Sequence, residues 1–235
     1  MSSFTLIVIA AAAGTLVASF LLGSIPWGVI ISRLFYQTDL REHGSGNIGT
    51  TNALRTLGPT GGAVVFILDF LKGLVAGFLA RAAIFIVYYA NMSSVYHEGV
   101  GSPGIASGHL IGLMYGICFL ACICGHIFSP WLKFKGGKGI AVAVGALALS
   151  FGLWGMLIEL VIFALLVLVT RYVSVGSIIA AAACPFVAFW TFQGEPVFTV
   201  LSVVAAAVAI WAHRGNIKRL RAGTEPRIGA KEAPN

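Results

Sequence analysis

Five stretches of this chain contain no Asp, Glu, Lys or Arg: residues 1–32, 99–132, 139–158, 172–194 and 196–213. Most hold an apolar core close to the roughly 20 residues that a helix needs to cross a hydrocarbon layer. Two further segments, 62–90 and 154–170, are equally apolar but carry Asp69, Lys72 and Arg81 in the first and Glu159 in the second. Inside lipid every backbone N–H and C=O must find a partner within the protein, which leaves only helices and closed barrels. No alternation of period two runs through these segments, so the expectation is an all-α, polytopic membrane helix bundle of about seven transmembrane helices. Composition agrees, at 58% hydrophobic, 10% charged and a mean hydropathy of +0.94, where a soluble domain carries about 25% charged residues. A disordered tail, a secreted disulfide scaffold and an ordinary soluble enzyme are excluded. The first apolar run lacks a basic leader and a clean small-residue cleavage site, so it is expected to stay as a helix.

The scarce charges are unevenly placed. With seven spans, the segments 37–60, 132–138, around Arg171, and 213–235 share one side, and with Arg33 they hold 13 of the 15 basic residues. The opposite connections, around 91–108 and 192–196, hold none. The positive-inside rule then places the C-terminus in the cytoplasm and the N-terminus outside. No internal repeat or linker divides the chain, which reads as a single membrane domain over residues 1–235 with a short basic cytoplasmic tail from about 213. The cysteines Cys118, Cys122, Cys124 and Cys184 all fall inside predicted spans and read as buried small hydrophobes. The Asn91-Met92-Ser93 sequon is too short a match to carry a function.

Two loops on the basic side exceed what joining helices requires. The first contains Gly44, Gly46 and Gly49 interleaved with Ser45, Asn47, Thr50, Thr51 and Asn52, and ends at Arg55. Glycines let backbone N–H groups converge on a ligand, and an arginine fork suits phosphate oxygens, so this loop reads either as an anion site or as a Gly-rich interfacial turn. Its Gly-x-Gly-x-x-Gly spacing is not a dinucleotide fingerprint, because no buried strand precedes it. The second loop places Lys133, Lys135 and Lys138 around Gly136, Gly137 and Gly139, immediately before an apolar run. Glycines and ammonium groups at a helix start form an anion cradle, whereas lysines alone would be a lipid-attracted cluster. Gly139 stands where a Walker loop requires Ser or Thr.

The third loop holds Arg171, Tyr172, Ser174, Gly176 and Ser177, and the tail opens with His213, Arg214 and Asn216. His213 and Asn216 are spaced to share one helical face. Lys218, Arg219, Arg221, Arg227 and Lys231 read as charges that set topology. Asp69 and Lys72 are spaced to pair with each other or with neighbouring helices, or else to shape the site indirectly; Arg81 reads as snorkelling or facing protein, and Glu159 as lying near the outer interface.

Together these motifs resemble the bacterial acyl-phosphate:glycerol-3-phosphate acyltransferase family. Gly44-Ser45-Gly46-Asn47-Ile48-Gly49-Thr50-Thr51-Asn52-Ala53-Leu54-Arg55 is similar to its first signature, and Leu68-Asp69-Phe70-Leu71-Lys72-Gly73 to the segment that follows. Phe134-Lys135-Gly136-Gly137-Lys138-Gly139 resembles the second signature, Arg171 to Ser177 a third, and His213-x-x-Asn216-Ile217-x-Arg219-Leu220 with Gly223 and Glu225 the last. The resemblance runs in order over about residues 22–225. It departs at Ser129-Pro130, where the family usually has its proline one place earlier, and in the length of the 91–108 connection.

The resemblance implies transfer of a fatty acyl group from acyl-phosphate to the 1-hydroxyl of glycerol 3-phosphate. The products would be 1-acylglycerol 3-phosphate and inorganic phosphate, in the first step of bacterial phospholipid synthesis at the cytoplasmic membrane. It assigns catalysis to Ser45, Arg55, Lys138, Ser177 and His213, with Ser45, Arg55, Lys138, His213 and Asn216 on the glycerol phosphate. Asn47, Thr51, Asn52, Lys135, Gly136, Gly137, Gly139 and Ser174 complete the substrate contacts, the glycine-rich turn holding the acyl-phosphate head and apolar helices its tail.

Expected partners are glycerol 3-phosphate, acyl-phosphate, membrane lipid and the enzyme that supplies the donor, with no nucleic acid. An acyl phosphate is already activated, so no cofactor is expected, and no carboxylate or paired-His cluster in the loops suggests a metal. The hydroxyl proton would pass to a substrate phosphate oxygen, or to His213 or His126 acting as base. The rival classes are an organic-phosphate transporter, which would place its site at mid-depth in duplicated halves, and a lipid-bound scaffold, which leaves the glycines without a role.

Overall fold

The computed structural model describes residues 3–98, 109–192 and 195–229, and among them every regular element is a helix. In chain order these are α1 (Ser3–Ser24), α2 (Trp27–Tyr36), α3 (Thr50–Glu98), α4 (His109–Ile127), α5 (Ile140–Ser150), α6 (Gly152–Thr170), α7 (Val173–Thr191), α8 (Pro196–Ala212) and α9 (Arg214–Arg221). Short 3-10 turns occupy Leu40–Glu42 and Pro130–Leu132. Large apolar side chains face outward, with Val169 81% and Phe186 76% exposed. Such a surface needs lipid as its solvent. Residues 99–108 of the expected outer connection, together with Lys231, lie outside the described residues.

Among the described residues, five stretches are long and apolar enough to cross a membrane: Ser3–Tyr36, Thr50–Met92, His109–Leu132, Gly152–Thr170 and Val173–Thr191. The α8–α9 pair, bent by 54°, makes a sixth. The span expected over 139–158 is instead the 11-residue α5, about 16 Å long against a hydrocarbon core of about 30 Å. The apolar run is cut at Phe151, where Gly152 takes a left-handed turn (φ 68°) into α6.

Other breaks also have local causes. Pro26 separates α1 from α2, and α3 kinks at Gly58 (φ 76°, ψ −176°), because the residue before Pro59 is driven out of the helical region. The first loop is therefore shorter than 37–60, and Thr50 to Leu57 are helical.

Small residues bring the helices into backbone contact, the usual membrane packing device. A Cβ on Gly145 would overlap the Phe70 carbonyl, and one on Gly73 the Val142 carbonyl, so α3 and α5 touch reciprocally. Gly23 and Gly125 do the same between α1 and α4, against Cys122 and Phe20. On the side away from the loops, Phe151 and Phe198 (5.1 Å between centroids) and Phe192 and Phe198 (4.3 Å) form a tight aromatic cluster.

Candidate active site

The first loop is shaped by its own polar side chains. Asp39 accepts from the Arg41 N–H (3.0 Å) and pairs with the Arg41 and Arg33 guanidinium groups (2.6 and 2.7 Å), which hold its carboxyl well below the usual range, Arg41 contributing most. Asn52 is 2% exposed. Its carbonyl oxygen accepts from the Ser45 N–H (2.9 Å), and its amide donates to the Leu40 and His43 carbonyls (3.0 and 3.1 Å). Asn52 is thus a staple inside the loop and is not positioned as a substrate contact. The Gly46 and Gly49 N–H groups are bound internally as well, to His43 O and Asn47 Oδ1. Of this loop, Ser45 and Asn47 line the cleft.

The second loop folds back on the end of α4. Gly136 N–H donates to Ile127 O (2.9 Å) and Gly137 N–H to His126 O (3.0 Å). These two N–H groups therefore do not point at a ligand, contrary to the cradle read from the glycines. The glycines are needed for close approach, since a Cβ at 136 would overlap the His126 carbonyl and one at 137 the His126 ring. Open donors begin two residues later: Gly139 caps α5 in a left-handed conformation (φ 81°), and the first N–H groups of a helix have no carbonyl within it. Lys138 stands beside them. Burial lowers its ammonium to about 8, Arg219 and Arg55 act in the same direction, and Glu225 opposes them.

The third part comes from the bend between α8 and α9. His213 donates Nδ1–H to Ala209 O (2.8 Å), which leaves the lone pair on Nε2, and burial keeps this ring neutral, with a pKa of about 4. Glu225 receives Asn216 Nδ2 and Arg219 Nε, each at 2.7 Å. The chain beyond α9 is docked: Ile228 N–H donates to Arg171 O (2.8 Å), and Arg227 donates to the Tyr172 hydroxyl (2.9 Å).

These parts enclose a polar cleft of about 450 Å³ lined by Ser45, Asn47, Lys135, Lys138, Asn216 and Arg219 among others. A second, apolar groove of about 170 Å³ is lined by Gly139, Ala143, Ser177, Ala181, Cys184 and Ala206 among others. Lys138 lines the cleft and Gly139 the groove, while Ala212 and Ala209, one turn apart on α8, do the same.

Of the residues expected at the site, Ser45, Asn47, Lys135, Gly136, Gly137, Lys138 and Asn216 share the cleft, and Gly139 and Ser177 share the groove. Arg55 is exposed on the first turns of α3, close enough to act on Lys138. Thr51, Asn52, Arg55, Ser174 and the fully buried His213 line neither cavity. Arg214, Arg219 and Trp211 line the cleft although sequence reading placed none of them at the site. The signal for Arg219 was available, since Ala212, Asn216 and Arg219 follow helical spacing. Glu159 is 5% exposed and lines the groove, deeper than the outer interface expected for it.

A cleft lined by cations and an apolar groove lined by neighbouring residues of the same helix bundle suit a ligand with a phosphorylated head and a hydrocarbon tail. This is the chemistry of a membrane protein that handles phosphorylated lipids or their precursors. A family model described as glycerol-3-phosphate acyltransferase matches residues 13–223, and the chain belongs to that family. It is 38% identical over 214 residues to the glycerol-3-phosphate acyltransferase of Thermosynechococcus vestitus, covering 91% of this chain and 93% of that protein. Against the enzyme of the same name from Gloeobacter violaceus it is 40% identical over 226 residues, covering 93% and 95%. Among solved structures it is similar to the integral membrane glycerol 3-phosphate acyltransferase PlsY in its glycerol 3-phosphate form (TM-score 0.73, 32% identity, 93% of this chain and 96% of that one). It is also similar to the lysophosphatidic acid form (TM-score 0.70, 30% identity, 93% and 95%).

Proposed function

We propose that the enzyme transfers a fatty acyl group from acyl-phosphate to the 1-hydroxyl of glycerol 3-phosphate, at the cytoplasmic face of a bacterial inner membrane. The observation that carries this reading is that the consecutive residues Lys138 and Gly139 line a cationic cleft and an apolar groove respectively. A water-soluble phosphate enters the cleft, the donor's chain lies in the groove, and their reactive ends meet between them.

In the reaction the 1-hydroxyl oxygen attacks the acyl carbon, the bond from that carbon to the phosphate oxygen breaks, and phosphate leaves with the electron pair. Lys138, Arg55 and Arg219 offset the charge on the two phosphates, and Ser45 and Asn216 orient the glycerol backbone. The N-terminus of α5 supplies N–H donors to the donor phosphate, and Ser177 borders the reacting carbon. The hydroxyl proton passes to an oxygen of the departing phosphate. His213 offers Nε2 as an acceptor for the hydroxyl hydrogen bond, yet a group with a pKa of about 4 is a weak base at neutral pH.

The deciding experiment gives purified enzyme glycerol 3-phosphate with either acyl-phosphate or acyl-CoA. Acylglycerol phosphate and inorganic phosphate are expected from the first donor only; folded enzyme that is inactive with acyl-phosphate overturns the reading. His213→Gln separates the two proton routes. It is expected to retain turnover within about 10- to 100-fold of wild type, short of the full contribution of a general base. Complete loss of kcat with glycerol 3-phosphate binding intact would make His213 the base.

A further inference from the structure

We infer that the buried triad Asp69, Lys72 and His126 positions the Lys135–Gly139 turn and, through it, the head group of the acyl donor. This rests on the acyl-phosphate reading above. None of the three lines the cleft or the groove. They lie at 1%, 4% and 4% exposure where α3 and α4 meet the α1–α2 break.

The Lys72 ammonium donates to the Ile25 carbonyl at 2.8 Å and to His126 Nδ1 at 2.9 Å, and forms an ion pair with Asp69 Oδ1 at 2.8 Å, an oxygen that has no hydrogen-bond partner among the described residues. An ammonium has no lone pair, so Nδ1 of His126 accepts and the ring proton is on Nε2. That fixes the imidazole with its Nε2 edge in the space that a side chain at Gly137 would occupy. The carbonyl of the same histidine takes the Gly137 N–H at 3.0 Å. Ring and backbone of one residue thus hold the turn from two sides.

The other end of the loop is tied to the same break. Ser129 Oγ donates to Ser24 O (2.6 Å) and Trp131 Nε1 to Ser24 Oγ (2.8 Å). Replacing a buried ion pair by apolar side chains of similar volume is often neutral or stabilising, so bundle stability alone is a weak account of this triad. Its contact with the turn that presents Lys138 gives it a second role.

The test compares stability with turnover in two sets of variants. Asp69→Leu with Lys72→Met replaces the pair by apolar side chains. It is expected to melt near wild type, while kcat/KM for acyl-phosphate falls about 10- to 100-fold, the scale of a small misplacement of reacting groups. His126→Asn, Gly137→Ala and the double variant form a cycle acting on the contact itself. The double variant is expected to be no worse than the poorer single one, because both changes break the same contact. The larger rise is expected in the KM for acyl-phosphate. Wild-type kcat/KM in the folded Leu/Met variant, or additive losses in the cycle, would overturn the positioning role. If the Leu/Met pair does not fold, the cycle decides alone. Wild-type enzyme inactive on acyl-phosphate would overturn the functional reading instead.

Discussion

Lys138 joins the electrostatics of the site to its chemistry. Burial brings its ammonium down to about 8, so the free enzyme loses this charge as pH rises through that value. A phosphate dianion binds the charged form, and kcat/KM is therefore expected to decline above about pH 8, with Lys138→Arg flattening that limb because arginine stays protonated. A pH–rate profile of both enzymes checks this, and an unaltered descending limb in the arginine variant would assign it to another group. At this scale the sequence was partly legible. Lys138, Ser45 and Asn216 could be placed because cations and polar side chains beside glycines are rare in so apolar a chain. Asn52 could not be placed correctly, because a side chain that satisfies its own loop and one that faces a ligand look identical in one dimension. Gly136 and Gly137 were misread for a related reason: they serve close approach to His126, and their N–H groups are bound to the end of α4.

The helices reveal how a uniform solvent simplifies some predictions and obscures others. Apolar runs were visible because lipid demands them along a whole span, but the turn at Phe151 and Gly152 was hidden, as both residues belong to the same apolar run. Neither was the α3–α5 contact legible, since an interfacial glycine resembles any other. Gly145→Val is expected to force α5 off the Phe70 backbone. Overpacking of this kind costs about 1–3 kcal/mol and should appear as a lower melting temperature in detergent, together with a loss of activity, because Lys138 and Gly139 precede the same helix. Val at Gly14, where an added Cβ meets nothing within 4 Å, is the matched control. Equal effects at both positions would rule out backbone contact as the cause.

For the whole molecule, the proposed orientation rests on the one-sided placement of the basic residues. A single cysteine introduced as Lys218→Cys, in a variant lacking the four native cysteines, is expected to react with an impermeant thiol reagent in inside-out vesicles only. Labelling from the outside of intact cells would reverse the topology. The abbreviated α5 has an effect at this scale too. It is about 12 Å shorter than the 19-residue α6 that follows it across a tight turn, and the partly buried Lys138 lies just before it. Mobile ions screen exposed charges over about 8 Å at physiological ionic strength but act far less on groups withdrawn from water. Turnover should therefore change little between low and moderate monovalent salt, whereas recognition by charges on the rim would weaken steeply. By stopping one helix half-way, the protein withdraws the Lys138 ammonium into surroundings that bulk ions reach poorly.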